Sequence, residues 1–119
     1  MANPIIHFEV LRKDKAVLED FYRALFDWQL NPVGDNYSIV LPGSGINGGI
    51  GTAMDGGRGH AIFYVEVSNI AETLTVVEGR GGHKMMEPEQ VPNGPLIALF
   101  ADPEGHVIGL VQEGTMRNG

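Results

Sequence analysis

The feature that most constrains the fold of this chain is a pattern that occurs twice along it. Phe8-Glu9-Val10 and Tyr64-Val65-Glu66-Val67 each begin a unit in which an alternating strand precedes an amphipathic helix and about three further strands. A solenoid would need at least about three such units. Two copies therefore predict a single domain over residues 1–119, with module one over about residues 1–57 and module two over about residues 58–119.

Both helices are predicted from their capping residues and their apolar spacing. Asp14 can cap the first helix, in which four apolar residues recur at the spacing of one stripe. They are Leu18, Phe21, Tyr22 and Leu25. Asn69, with Glu72 three residues later, gives a capping-box-like start to the second helix, and Gly81-Gly82 predicts its end.

The remaining strands are predicted between turns rich in glycine, proline and asparagine. They cover residues 29–32, 37–41, 46–54 and 62–67, and a short strand begins at residues 85–86, with a module boundary at 55–59 and a loop at 88–95. The last two strands form a hairpin over residues 96–113, since Asp102-Pro103-Glu104-Gly105 places Asp, Pro and Gly where a type I turn favours them.

Composition excludes several classes of function. The formal charge of −7 and the scattered basic residues do not give the electrostatic footprint of a nucleic-acid binder, and an acidic surface repels anionic membranes. No apolar run approaches membrane-spanning length, and the N-terminal residues lack the pattern of a signal peptide. We therefore expect a cytoplasmic protein. The absence of cysteine excludes disulfides, thiolate metal sites and cysteine nucleophiles.

Taken together, these motifs resemble the glyoxalase/bleomycin-resistance/dioxygenase superfamily, also called vicinal oxygen chelate proteins. The resemblance rests on His7-Phe8-Glu9-Val10, Phe21-Tyr22, Leu25-Phe26-Asp27-Trp28, Gly81-Gly82, and Asp102-Pro103-Glu104-Gly105 leading into Gly109-Leu110. It implies an α+β fold in which two βαβββ modules form a curled mixed sheet around a cup-shaped cavity. Homodimers are common in the family. The chain is most similar to a bacterial subgroup of mostly unknown activity in which glycine stands at the position of Gly109.

The resemblance also implies where a divalent metal would bind, because metal-dependent members place one ligand on the first strand and one on the last strand of each module. His7 stands at the first of these positions. Ile62 and Gly109 stand at the two positions in module two, and residues 46–54 contain no histidine or carboxylate. His7 is thus the one remaining metal candidate, whereas such enzymes need at least three protein ligands. We expect no cofactor, with Ni, Zn, Mn or Fe as the alternative.

Candidate catalytic residues follow from strand parity. His7 and Glu9 share one face of the first strand, and Glu66 shares a face with Tyr64 and Ile62. A histidine and carboxylates on a concave floor can act as ligand, acid or base. The alternatives are that His7 is a hydrogen-bonded strand residue and that the two glutamates lie in water at the rim.

Five residues are expected to contact a small ligand. They are Tyr64, Ile62, Trp28, Tyr37 and Gly109. The three aromatic side chains could line a cavity for a flat organic molecule, although a tryptophan at a helix end is more often part of a core. His60 precedes the strand at 62–67 and could reach the cup, but as a residue of a glycine loop it is expected to be exposed.

Two hypotheses about function follow from these residues and the resemblance. In the first, the chain binds a small organic molecule, cationic or aromatic, in its cup without the usual glyoxalase metal site. In the second, it is a metal-dependent lyase similar to lactoylglutathione lyase, or a related isomerase or dioxygenase, with His7 as ligand and Glu9 or Glu66 as base. A protein-interaction subunit with a filled, vestigial cup is a third possibility.

Overall fold

A computed structural model describes residues 2–53 and 58–115 of the chain. Its elements are β1 (Ile5–Arg12), α1 (Lys15–Phe26), β2 (Gln29–Pro32), β3 (Tyr37–Leu41), β4 (Gly48–Thr52), β5 (His60–Val67), α2 (Ile70–Gly79), β6 (His83–Gln90), β7 (Leu96–Ala101) and β8 (Val107–Gln112). This order confirms the α+β class and the two βαβββ repeats. The chain divides into two compact units, residues 6–63 and residues 2–5 with 64–115.

The strands of the first unit form a mixed sheet in the order β2-β3-β4-β1. β4 runs parallel to β1 and antiparallel to β3, and β2 is antiparallel to β3. β3 has the predicted bounds and the short β2 is present. The predicted strand at residues 46–54 is confirmed only over Gly48–Thr52, and Met54 lies outside the described residues.

The capping of α1 is confirmed, but only part of its predicted apolar stripe is covered. The Asp14 carboxylate accepts a hydrogen bond from the Val17 amide at 3.3 Å, and Asp27 ends the helix in the left-handed conformation. Phe21 and Leu25 remain 57% and 56% exposed. The residues of α1 that contact the sheet include the charged Lys15 and Glu19, which the apolar spacing did not predict.

Three polar side chains join α1 to β3. The Glu19 carboxylate accepts hydrogen bonds from the Ser38 hydroxyl and from Lys15 Nζ, the latter at 2.9 Å. Lys15 Nζ also donates to Ser38 Oγ at 3.1 Å, and Ser38 is fully buried. Burial opposes the charged form of Glu19, but the Ser38 hydroxyl and the Lys15 ammonium outweigh it and lower the pKa of this carboxyl.

The second unit has its own mixed sheet and core. Its strands follow the order β5-β8-β7-β6, with β5 parallel to β8 and the other neighbours antiparallel. The core cluster of this unit contains five buried residues, two of them from α2. They are Val67, Ile70, Leu74, Ala98 and Leu110. Asn69 caps α2 by accepting from the Glu72 amide at 3.0 Å, as predicted. The Gly82 amide donates to the Val77 carbonyl at 2.9 Å after Gly81 turns at positive φ, which confirms the glycine stop.

The predicted β7–β8 hairpin is confirmed, and the strand before it was predicted too short. Asp102 closes the turn: its backbone pairs with that of His106, and its carboxylate accepts from the Glu104 and His106 amides. β6 runs through Pro88, where we predicted a loop. Proline is tolerated there because β6 ends the strand order of its unit and its pairing with β7 shifts register on both sides of Met86.

Candidate functional site

Among the described residues, a group of hydrogen-bonded ionisable side chains lies on one face of the first unit's sheet. Successive side chains of β1 alternate, so His7 and Glu9 point to one side and Phe8 to the other. Tyr37 from β3 and His60 from the start of β5 reach Glu9 on that side. We call this surface, defined by His7, Glu9, Tyr37 and His60, the Glu9 face.

Both oxygens of the Glu9 carboxylate accept hydrogen bonds from side chains. The Tyr37 hydroxyl donates to Oε2 at 2.9 Å, and His60 Nε2 lies 2.7 Å from Oε1. The Glu9 side chain is 13% exposed and that of His60 is 23% exposed. The carboxylate is therefore held in a fixed orientation by two donors while remaining within reach of solvent.

His7 extends this network through Tyr37. His7 Nε2 lies 3.1 Å from the Tyr37 hydroxyl oxygen. Because Tyr37 gives its own proton to Glu9, its oxygen accepts from His7, so the proton of neutral His7 is on Nε2. Burial lowers the pKa of His7, and the negative charge of Glu9 only partly opposes this effect.

The glycines of β4 allow Tyr37 to cross this strand. Tyr37 is opposite Gly51 in the β3–β4 register, and Glu9 is opposite Gly49 in the β1–β4 register. A Cβ atom at position 49 would overlap the Tyr37 hydroxyl, and one at position 51 would lie 2.8 Å from the ring Cδ1. The glycine-rich strand therefore makes room for an aromatic side chain that links β3 to β1, in agreement with the close approach expected of strand glycines.

In the second unit, Tyr64 and Gly109 are register partners on the parallel strands β5 and β8. A Cβ atom at position 109 would lie 2.7 Å from Cγ of Tyr64 and would overlap other atoms of the ring. Tyr64 is 4% exposed. Glu66 follows on the same side of β5, is partly buried, and donates its amide to the Pro4 carbonyl at 2.9 Å.

Trp28 is not brought together with His7 and Glu9. Its ring packs 5.4 Å from that of Phe8, on the opposite side of β1, and also against Tyr22 and Phe26. The structure thus places Trp28 in an aromatic cluster beneath α1. Ile62, by contrast, shares its side of β5 with His60, and it is partly buried.

The expectation that His60 lies exposed in a loop was wrong. His60 is the first residue of β5, is partly buried, and contacts Glu9. The sequence could have indicated that His60 lies on this face, because His60 stands two residues before Ile62. If the strand begins at residue 60, the two side chains lie on the same face. Tyr37 was expected to contact a ligand, but its role in holding Glu9 depends on a register that the sequence does not display.

The residues present do not fit a divalent metal held in the pattern that the resemblance implies. β4 carries no histidine or carboxylate, and Tyr37 occupies the space beside Gly49. The space beside Gly109 holds the ring of Tyr64. Within residues 2–53 and 58–115 there is no group of three or more histidine, aspartate or glutamate side chains placed to bind a metal ion.

Comparison with known proteins establishes the family. The model of the Glyoxalase/Bleomycin resistance protein/Dioxygenase superfamily matches residues 5–110. The chain belongs to this superfamily, which confirms the resemblance. In the described parts of the chain, no helix combines the length and the apolar character needed to cross a membrane.

Two curated relatives carry the name of a lyase. A putative lactoylglutathione lyase from Brassica oleracea var. gemmifera is 28% identical over 107 residues, which cover 89% of this chain and 36% of the relative. A probable chloroplastic lactoylglutathione lyase from Arabidopsis thaliana is 34% identical over 61 residues, which cover 50% of this chain and 17% of the relative. The chain therefore spans about a third or less of each of these proteins.

Solved structures share the fold at low sequence identity. Hypothetical protein BH1468 from Bacillus halodurans matches with a TM-score of 0.72 and 14% identity over all of both chains. A methylmalonyl-CoA epimerase from Streptomyces coelicolor matches with a TM-score of 0.68 and 15% identity, over 97% of this chain and 100% of the other. The methylmalonyl-CoA epimerase from Mycobacterium tuberculosis matches with a TM-score of 0.67 and 15% identity, over 91% of this chain and 86% of the other. At these identities the likeness shows the fold alone.

Proposed function

We propose that this protein binds a small organic molecule on the Glu9 face, without the metal site of glyoxalases. The observation that carries the proposal is the bridging position of the Tyr37 hydroxyl, which contacts both Glu9 and His7 across Gly49. His7, the one metal candidate of this module, and the Glu9 carboxylate are both already hydrogen-bonded to a neutral protein hydroxyl. A fixed carboxylate beside an aromatic ring suits an organic ligand.

The lyase names of the relatives give the alternative, a metal-dependent lyase, isomerase or dioxygenase. In that case His7 would be a ligand, and Glu9 or Glu66 the base. Nothing in the donor set of the described residues favours it, since β4 carries no histidine or carboxylate and Gly109 stands at the last-strand position of module two with the ring of Tyr64 beside it.

The experiment that separates the two is thermal-shift screening of chelator-treated protein against organic compounds, with and without Ni, Zn, Mn or Fe. We expect compounds that raise the Tm equally in both conditions. Stabilisation that strictly requires one of these metals, together with metal loss in a His7→Ala variant measured by elemental analysis, would refute the proposal and support the alternative.

The location of the site is tested with the same compounds. Tyr37→Phe keeps the ring but removes the bridging hydroxyl, so it should weaken binding. Tyr22→Phe is the matched control, because Tyr22 of α1 stacks on Trp28, and Trp28 packs against Phe8 on the other side of β1. Equal effects of the two variants would place binding elsewhere.

The homodimer expected from the resemblance is tested separately by light scattering, in which a mass equal to one chain would contradict it.

A further inference from the structure

We propose that the second unit binds a linear aliphatic diamine, a molecule with a cationic nitrogen at each end, between the carboxylates of Glu66 and Glu89. This binding surface uses no residue of the Glu9 face, so the inference goes beyond the proposed function. It follows from a row of register partners that crosses the four strands of the unit.

The row has a carboxylate at each end and apolar side chains between them. Glu66 of β5 is the register partner of Val111 on β8. Ile97 of β7 is the partner of Val111 in the next pair of strands and of Glu89 in the last one. Because register partners carry their side chains on the same side of a sheet, all four side chains share one side. We call these four residues the Glu66 row.

The Glu66 row lies on the side of the sheet that α2 does not cover. Tyr64, two residues before Glu66, shares its side of β5, and its ring lies over Gly109 on that side. The intervening positions Ala98 and Leu110 point the other way, into the core cluster to which α2 contributes. Along the row, the side chains are therefore covered only in part. Glu66 and Ile97 are partly buried, Glu89 is exposed, and Val111 forms the buried floor.

Both carboxylates of the row are available to a ligand. Within residues 2–53 and 58–115, no side chain or backbone group forms a hydrogen bond or an ion pair with the carboxylate of Glu66 or Glu89. No buried side-chain oxygen in this part of the chain lacks a partner, so the oxygens of Glu66 reach water. A cation can therefore approach each end of the row without displacing a protein donor.

The charges on these strands favour a cationic ligand. Lys84 is the one lysine or arginine among the described residues of β5, β6, β7 and β8. It is opposite Phe100, which packs against the core cluster, and its ammonium pairs with Glu87. The formal charge of the chain, −7, also attracts cations. Two separated negative ends match a molecule with two positive ends better than one with a single charge or none.

The spacing of the strands sets the length of the ligand. Neighbouring strands lie about 4.8 Å apart, so three steps separate the backbones of Glu66 and Glu89 by at most about 14 Å. An extended methylene chain can cross Val111 and Ile97 and cover apolar surface there. Because one molecule carries both cations, binding at one end raises the effective concentration of the other. Octamethylenediamine suits this distance, whereas putrescine is too short to reach both carboxylates.

The test titrates octamethylenediamine to millimolar concentrations and follows the isoleucine methyl signals by NMR, with calorimetry for the affinity. Octylamine, with one cation, and the neutral diol of the same chain length are the comparison ligands. We expect the Ile97 methyl signals to shift and those of Ile70, which is 1% exposed in the core, to stay in place. Octylamine should bind about two- to fivefold more weakly than the diamine, since it lacks one exposed ion pair, and the diol more weakly still.

Two variants and a control locate the cations. Glu66→Gln and Glu89→Gln should each weaken binding of the diamine about two- to fivefold, to the level of octylamine. Glu72→Gln is the matched control, because it removes the same charge from an exposed position in the first turn of α2, and it should bind the diamine like the unsubstituted protein. Since Glu89 is exposed, Glu89→Gln gives an answer even if Glu66→Gln does not fold.

Three outcomes would overturn the inference: no shift of the Ile97 signals with the diamine, equal affinity for the diamine and the diol, or a loss of affinity in Glu72→Gln as large as in the other two variants. The last outcome would mean that the diamine responds only to net charge. Binding on the Glu9 face is scored separately, by the effect of Tyr37→Phe on compounds from the thermal-shift screen, so either proposal can fail alone.

Discussion

The ring of Tyr64 lies over Gly109, its register partner on the neighbouring parallel strand, and fills the space that a side chain at position 109 would need. A similar relationship occurs in the first unit, where the Tyr37 hydroxyl lies beside Gly49. In both units, a glycine on the last strand accommodates tyrosine atoms. These contacts give a physical reason for glycine at each position and allow the energetic cost of a side chain there to be measured.

The first prediction is that Gly109→Ala lowers the free energy of unfolding by about 1–3 kcal/mol, the usual cost of overpacking a core. The new Cβ would meet the ring of Tyr64, which is 4% exposed and has little room to move. Urea unfolding measures the change. Gly79→Ala is the matched control, because a Cβ there meets nothing within 4 Å and alanine favours the helical conformation. Equal destabilisation by both variants would contradict this account.

The second prediction concerns the hydroxyl that joins Glu9 to His7. Tyr37→Phe should lower the free energy of unfolding by about 1–3 kcal/mol, because it removes a donor to a largely buried carboxylate and an acceptor for His7. Tyr22→Phe retains its ring contacts with Phe26 and Trp28 and serves as the control in the same urea titration. A Tyr37→Phe protein as stable as the Tyr22→Phe protein would show that the bridge contributes little.

The third prediction is a loss of stability in mild acid that depends on His7. Burial lowers the pKa of His7 below the ordinary value of 6.5, so the unfolded chain binds more protons than the folded one between the two pKa values. The free energy of unfolding should therefore fall as the pH drops through 6.5 and stop falling, for this group, below the folded pKa. An NMR titration of the ring should give a pKa below that of an unfolded peptide.

Denaturation across the same pH range tests the energetic consequence. A His7→Gln variant should lose the His7 part of the pH dependence, since glutamine does not titrate. His83→Gln, an exposed substitution, should retain it. If the His7→Gln protein shows the same pH dependence as the His83→Gln protein, the lowered pKa of His7 has no role in stability.

Much of the fold could be predicted because its signals are local. Asp14 and Asn69 cap their helices from within three residues, and the hairpin turn is specified by Asp102 and its immediate neighbours. The strand through Pro88 was missed because an end strand tolerates proline, and the position of a strand in its sheet is not a local property.

The candidate site could be predicted only in part. Strand parity placed His7 and Glu9 on one face, and the structure does so too. The contacts of Glu9 with Tyr37 and His60 join residues 28 and 51 positions apart, and they depend on the register of β3 and β4 and on where β5 begins. For Trp28 the sequence left both a ligand cavity and a core position open, because a helix end gives no indication of which side of the sheet its neighbour will cover; the structure packs its ring against Phe8.

The last prediction addresses the polar triad beneath α1, which the apolar pattern did not reveal. Ser38→Ala should lower the free energy of unfolding by about 1–3 kcal/mol, because Glu19 loses a buried donor and Lys15 loses an acceptor. Thr75→Ala is the control, since its hydroxyl bonds the Ala71 carbonyl at an exposed site and should change stability by less than about 0.5 kcal/mol.

The effect of Ser38→Ala should also depend on pH. The pKa of Glu19 is lowered in the folded protein, so its charged contacts contribute stability above the ordinary value of 4.5, and this contribution is lost as the pH falls through the folded pKa. Part of what the Ser38 hydroxyl supplies is its preference for the charged carboxylate. The destabilisation measured by urea unfolding should thus be larger near neutral pH than in strong acid. A pH-independent difference would mean that Ser38 acts through packing alone, and that the carboxylate of Glu19 is held by Lys15.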